Sequence, residues 1–206
     1  MTVVRIGERQ RKRRSSLLLR RVTPGMAILV FLAIVALRLW VVETAIVEGR
    51  SMEDALLPGD RVLVLKALGL KRFDIVVVND PDGRGASIKR IVGMPGDVVS
   101  MVPYITDTSS GPAVYGSQLY VNGEPYEEAY ATSVIPVSMQ PTKIADDSYF
   151  VLGDNRDASI DSRRYGAVAA GDIRGVGVAV VFPFTRTGII APGSQAAVPA
   201  TAQNSS

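Results

Sequence analysis

The chain predicts a mainly β fold behind one membrane-crossing helix. Three observations carry this: a basic N-terminus, a single unbroken apolar run, and a series of short β-rich segments separated by turn residues. No second apolar span follows the first. At 206 residues and 47% hydrophobic, the protein has room for one domain with appendages.

Residues 1–21 read as a basic cytoplasmic tail. They hold eight of the 23 basic residues and Glu8 alone among the 20 acids, so the remainder carries about −4. The positive charge therefore belongs to the tail, and a nucleic-acid-binding face is not expected. Residues 22–42 read as a transmembrane helix. Gly25 to Leu37 is continuously apolar, and the flanks bring the stretch to roughly 20 residues, enough to cross a bilayer. Pro24 suits the first helical turn, Arg38 can snorkel, and Trp40 fits an interface. The basic cluster before the span predicts a cytoplasmic N-terminus with the rest outside. A cleaved secretory signal is the competing reading, against which Val42-Glu43-Thr44-Ala45 makes a poor cleavage site.

Residues 43–190 form the expected β-rich domain. Candidate strands are 61–65, 75–78, 87–92, 97–101, 119–121, 149–152 and 176–182. Asn122-Gly123 signals a hairpin, while Pro58-Gly59, Pro95-Gly96 and Gly153-Asp154-Asn155 mark turns. Residues 104–117 read as a polar surface loop, and 191–206 as a disordered C-terminal tail.

The chain contains no histidine and no cysteine. This excludes a Ser-His-Asp triad, a Cys-His pair and a histidine-ligated metal. A nucleophilic hydroxyl would need another base, and lysine is the natural one. There are five lysines: Lys12, Lys66, Lys71, Lys89 and Lys143. Lys89 stands out because Ser87-Ile88-Lys89-Arg90-Ile91-Val92-Gly93 reads as a strand that carries its lysine inward.

Three segments concentrate the remaining signal. They are Val47-Glu48-Gly49-Arg50-Ser51-Met52, the stretch from Ser87 to Asp97, and Gly153-Asp154-Asn155-Arg156-Asp157-Ala158-Ser159-Ile160-Asp161-Ser162-Arg163-Arg164-Tyr165-Gly166. With the preceding apolar span, and in this order, they resemble the bacterial type I signal peptidases, the leader peptidase family. The resemblance implies a fold built from antiparallel sheets. It also implies a membrane-anchored serine endopeptidase that removes signal peptides from exported preproteins after small-x-small sites, usually Ala-x-Ala.

By that resemblance Ser51 is the nucleophile, Lys89 the general base, and Ser159 a third member whose hydroxyl orients the lysine amine. A lysine ordinarily has a pKa of about 10.4 and is protonated, so it must be buried to serve as a base. Val47, Met52, Leu56 and Ile88 are assigned to substrate-pocket walls. The Ser51 backbone N–H is the oxyanion donor. Gly49, where many relatives carry a serine, offers no side-chain donor and leaves the second donor open. Asp161 and Arg163 are expected to pair and pin the third motif beside the site, with Gly153 and Asp154 forming the turn that brings it there.

Two departures from the family pattern are visible. Ser51-Met52 is followed by Glu53-Asp54-Ala55-Leu56, without the usual Pro and Thr, and Ser87 replaces the tyrosine often found two residues before the base. No cofactor or metal is implied. The implied partners are exported preproteins, the phospholipid bilayer and, transiently, the secretion translocon. The implied location is the plasma membrane, in a single pass. A catalytically impaired relative acting as an assembly or chaperone module is the alternative, which retention of Ser51, Lys89 and Ser159 disfavours.

Overall fold

The computed structural model describes residues 24–66, 68–81, 83, 85–106, 114–132, 135–190 and 198–199. The expected basic tail lies outside this set, as does all of 191–206 except Val198 and Pro199. The chain divides into two compact units, Met1–Ala36 and Leu37–Ser206.

Helix α1 (Pro24–Val41) starts on the proline, whose missing N–H costs nothing in a first turn. Its side chains from Pro24 to Ala36, among them Ile28, Leu29, Phe31 and Leu32, are exposed. Among the described residues no helix is long and apolar enough to cross a membrane. The side chains of residues 37–40 fall outside that description.

The second unit is mainly β. In chain order its strands are β1 (Val42–Ile46), β2 (Arg61–Leu65), β3 (Ile75–Asn79), β4 (Ala86–Gly93), β5 (Val98–Thr106), β6 (Val114–Val121), β7 (Glu124–Glu127), β8 (Met139–Lys143), β9 (Ser148–Leu152), β10 (Val168–Ala169), β11 (Ile173–Phe182), β12 (Gly188–Ile189) and β13 (Val198–Pro199). One sheet runs β1-β2-β11-β3-β4-β9-β10, with β12 also on β11; the other runs β13-β7-β6-β5-β8. Every strand pair is antiparallel.

The large sheet is buried on both faces at its centre, which explains the continuous apolar run Ile75–Val78. Ile75 and Val77 join a cluster with Val47, Met52, Leu56 and Ile88, whereas Val76 and Val78 join Ile91, Val151 and Val176. Strand alternation makes that division. Each such side chain, fully buried, contributes about 1.5–3 kcal/mol. The small sheet closes over Val99, Met101, Leu119 and Val121.

The hairpin expected at Asn122-Gly123 joins β6 to β7, with both residues at positive φ, 54° and 85°. The loop expected over 104–117 is corrected: β5 runs to Thr106 and β6 begins at Val114. Pro103 sits inside β5 without cost because β8 pairs only with Val98–Met101, leaving the proline's other edge open. Strand β1 was not among the candidates; Val42 falls in the expected span and residues 43–46 in the expected β-rich domain.

Candidate active site

Ser51 sits on the loop between β1 and β2. Hydrogen bonds from Val47 N to Asp60 O (2.9 Å) and from Gly59 N to Val47 O (2.8 Å) close the base of that loop. Asp60 is almost fully buried and accepts a fork from Arg186 at 3.1 Å. Met52 and Leu56 turn inward, joined by a 2.8 Å bond from Leu56 N to Met52 O. They anchor the loop in the core while Ser51 stays half-buried at its surface. Glu53, in the departing segment, forms a surface pair with Arg50 at 2.9 Å.

Lys89 lies in the middle of β4, opposite Val76 of β3. Only 3% of it is exposed. Its Nζ reaches Ser51 Oγ at 3.3 Å and donates to Ile88 O at 3.2 Å. Both partners are neutral. Burial pushes the Lys89 amine below the ordinary lysine range, opposed by the negative charges of Asp161 and Asp80.

The 153–166 segment docks on this pair. Asn155 N donates to Ser51 O at 2.9 Å, tying the Ser51 backbone to the turn after β9. Gly153 must be glycine. A Cβ there would collide with the Ser159 hydroxyl and stand 2.6 Å from Ser51 O. Asp161 is buried and accepts from Gly153 N at 3.0 Å. It also caps the short helix α2 (Ser162–Tyr165) and takes a fork from Arg163, 2.8 Å from Nε and 2.9 Å from Nη2. Arg163 further donates to Arg156 O and Ser159 O, so it closes the loop onto itself.

Two placements differ from expectation. Ser159 Oγ is buried without a hydrogen-bond partner, so it makes no bond to Lys89. Its hydroxyl is turned toward Gly153 instead. Leu56 lines neither cleft at Ser51, because the Met52–Leu56 turn directs it wholly into the core. Val47, Met52 and Ile88 do line one of them.

Two clefts meet at Ser51. One, of about 660 Å³, includes Lys89, Asp80, Ser87 and Tyr165. The other, of about 620 Å³, runs between the end of β1 and the start of β4. Gly49, Ser51, Asp80 and Ser87 belong to both.

Sequence reading missed the buried polar cluster behind Lys89. Arg90 forms a two-pronged pair with Asp154 at 2.8 and 2.6 Å, donates to Phe73 O, and lies 4.1 Å from the Tyr130 ring centroid. Arg156 pairs with Glu128, which also accepts from the Tyr130 hydroxyl. Asp154 is therefore a buried acceptor as well as a turn residue. The available signal was Arg90 in a strand with Ile88, Ile91 and Val92, which demanded a buried acid somewhere in the chain.

Residues 19–182 match the family described as signal peptidase, peptidase S26. Signal peptidase I P of Bacillus subtilis subsp. natto is 31% identical over 176 residues, 78% of this chain and 87% of that one. Signal peptidase I of Bacillus licheniformis is 35% identical over 163 residues, covering 72% and 81%. Signal peptidase I T of Bacillus subtilis (strain 168) is 35% identical over 175 residues, covering 78% and 83%. Since the match runs through most of both chains and includes the whole Ser51–Lys89 neighbourhood, the protein belongs to the signal peptidase family, peptidase S26, and is a serine endopeptidase.

Proposed function

We propose that the protein removes signal peptides from exported preproteins after small-x-small sites, with Ser51 as nucleophile and Lys89 as general base. The observation that carries this reading is the 3.3 Å approach of a buried, charge-disfavoured lysine amine to a serine hydroxyl at the junction of two clefts.

The neutral amine takes the Ser51 proton as Oγ attacks the scissile carbonyl. The Ser51 N–H stabilises the oxyanion, with Gly49 as the position from which a second donor is missing. The ammonium then gives its proton to the leaving amine, and the C–N bond breaks. Water attacks the resulting ester, passing a proton through Lys89 back to Ser51, which releases the cleaved signal peptide. Val47, Met52 and Ile88 present an apolar wall to small side chains. Ser159 supports the amine after a rotation of its unpartnered hydroxyl. The bound peptide adds as a strand beside Ser87–Arg90 or Val47–Arg50.

The same reading assigns 1–21 to a cytoplasmic tail, 22–42 to a single membrane anchor, 43–190 to the extracytoplasmic peptidase domain and 191–206 to a tail. The apolar run Gly25–Leu37 supports the anchor. Eighteen helical residues extend about 27 Å, near the roughly 30 Å of a bilayer's hydrocarbon core. Ser51 lies nine positions after Val42, a reach of at most about 30 Å. That tether holds the nucleophile near the membrane surface, where an exported preprotein presents its cleavage site.

The test is cleavage of an Ala-x-Ala preprotein by the full chain in detergent, beside Ser51→Ala and Lys89→Ala. Each variant is expected to lose roughly 10⁴-fold or more in kcat/KM. Retention of full activity by either would remove the dyad.

A further inference from the structure

The linings of the two clefts at Ser51 give a bound chain its direction. Lys89 lines only the cleft of about 660 Å³, whereas Val47, Met52 and Ile88 line only the other. In the proposed cleavage Lys89 returns its proton to the leaving amine, so that side of the bond lies against Lys89. The small side chains before the bond face the apolar wall. The residues after the bond therefore run into the Lys89 cleft.

Three further charged residues, Arg50, Asp80 and Arg164, line that cleft. The Arg50 guanidinium is taken up by Glu53 at 2.9 and 3.0 Å. Asp80 belongs to both clefts, so it stands where they meet at Ser51. Arg164 belongs to the Lys89 cleft alone. It is exposed, and its backbone is set in α2 by a 2.8 Å bond from its N–H to Asp161 O. Its neighbour Arg163 is forked onto Asp161, but among the described residues no acceptor holds the Arg164 guanidinium. An extended chain advances about 3.3 Å per residue, so the first residue after the bond lies near Asp80 and later ones pass Arg164.

We infer that Arg164 is a specificity-determining residue that favours an acidic side chain two to four residues after the scissile bond, in the mature part of the preprotein. This rests on the proposed signal-peptide cleavage at Ser51. A guanidinium is always charged and offers a donor fork that matches a carboxylate, whereas an amide of the same size lacks the charge. Arg164 is solvent-exposed, so its contribution is a graded preference and not an absolute requirement.

The experiment uses Ala-x-Ala preproteins that differ only in Glu, Gln or Lys at the second, third or fourth residue after the cleavage point. It reads the Glu-to-Gln and Lys-to-Gln ratios of kcat/KM for the full chain, Arg164→Gln, Arg164→Lys and Arg164→Glu. Each ratio is measured within one protein preparation, so loss of folded enzyme cancels. The parent is expected to favour Glu over Gln by about threefold at one or more of these positions. Arg164→Gln should bring that ratio to about one, and Arg164→Lys should keep most of it. Arg164→Glu should favour Lys over Gln at the same position by a similar factor. A parent ratio of one at all three positions, or a Glu preference that survives in Arg164→Gln, overturns the inference while leaving the cleavage reading intact. Failure of the parent to cut any of these preproteins removes the cleavage reading, and this inference with it.

Discussion

Lys89 and Arg90 are adjacent on β4 and equally buried, at 3% exposure each. Their side chains leave the strand on opposite faces and meet opposite chemistry. Arg90 meets a carboxylate fork, a backbone carbonyl and an aromatic face. Lys89 meets a hydroxyl and a backbone carbonyl at 3.2–3.3 Å, with no carboxylate in contact. A guanidinium stays charged in proteins, so burying it demands a partner. An amine can instead give up its proton, which costs less than an unpaired buried charge. One strand thus holds a structural cation and the proposed base side by side, and the difference lies entirely in what packs against each.

Replacing the proposed base is expected to have the largest effect. Lys89→Met should abolish cleavage, by roughly 10⁴-fold or more, and yet raise the melting temperature at neutral pH. The sign follows from linkage. Burial lowers the folded-state pKa of Lys89, so the unfolded chain binds the proton more tightly. The parent therefore gains stability as pH rises from the lowered folded pKa toward the ordinary lysine value of about 10.4. Below that window the cost is fully present. Lys89→Met should lack this alkaline gain, which denaturant melts across a pH series would read. A variant less stable than the parent at neutral pH would contradict the assigned burial cost.

Arg90→Met should behave in the opposite way. It strands Asp154 in the core and is expected to cost about 3–5 kcal/mol of stability. Adding Asp154→Leu should recover most of that loss, because an apolar pair has no charge to leave unpaired. If the double variant stays as unstable as the single one, the pair's role is not electrostatic.

Gly153→Ala probes the contact between the two environments. The added methyl meets the Ser159 side chain and Ser51 O, and the latter cannot yield without moving Ser51. A displacement of about 1 Å is expected to lower kcat on the order of 10²-fold. Stopped assays reporting kcat and KM separately would show whether the loss falls on kcat.

The smallest expected effect is on the pH–rate profile. Activity should rise with pH along an acid limb as Lys89 loses its proton. Asp80 opposes that loss, so Asp80→Asn should move the limb to lower pH and change the rate at a fixed pH on it by only a few-fold. A limb shifted upward would contradict the sign.

Much of this arrangement was legible in the residues. The strand containing Lys89 and the Asn122-Gly123 hairpin depend on local spacing, whereas the three motifs around Ser51, Lys89 and Ser159 were readable through their resemblance to the signal peptidases. What escaped was the part set by distant neighbours. The mate of Arg90 is 64 positions away, and the clamp from Arg186 to Asp60 spans 126. The 104–117 segment was misread because its polar, Gly- and Pro-containing composition was taken for a loop, while an open sheet edge tolerates Pro103 in β5. Leu56 was placed in a pocket wall by likeness, and the turn from Met52 carried it into the core.

The sequence by itself determined that a base here is neither histidine nor cysteine, which makes lysine the natural candidate, and that Lys89 sits in a strand rich in Ile and Val. Only the tertiary structure decided that Lys89, and not Arg90 beside it, lies next to Ser51. Strand alternation sends neighbours to opposite faces, and which face receives Asp154 and which receives the Ser51 loop depends on how β3, β9 and that loop assemble around β4.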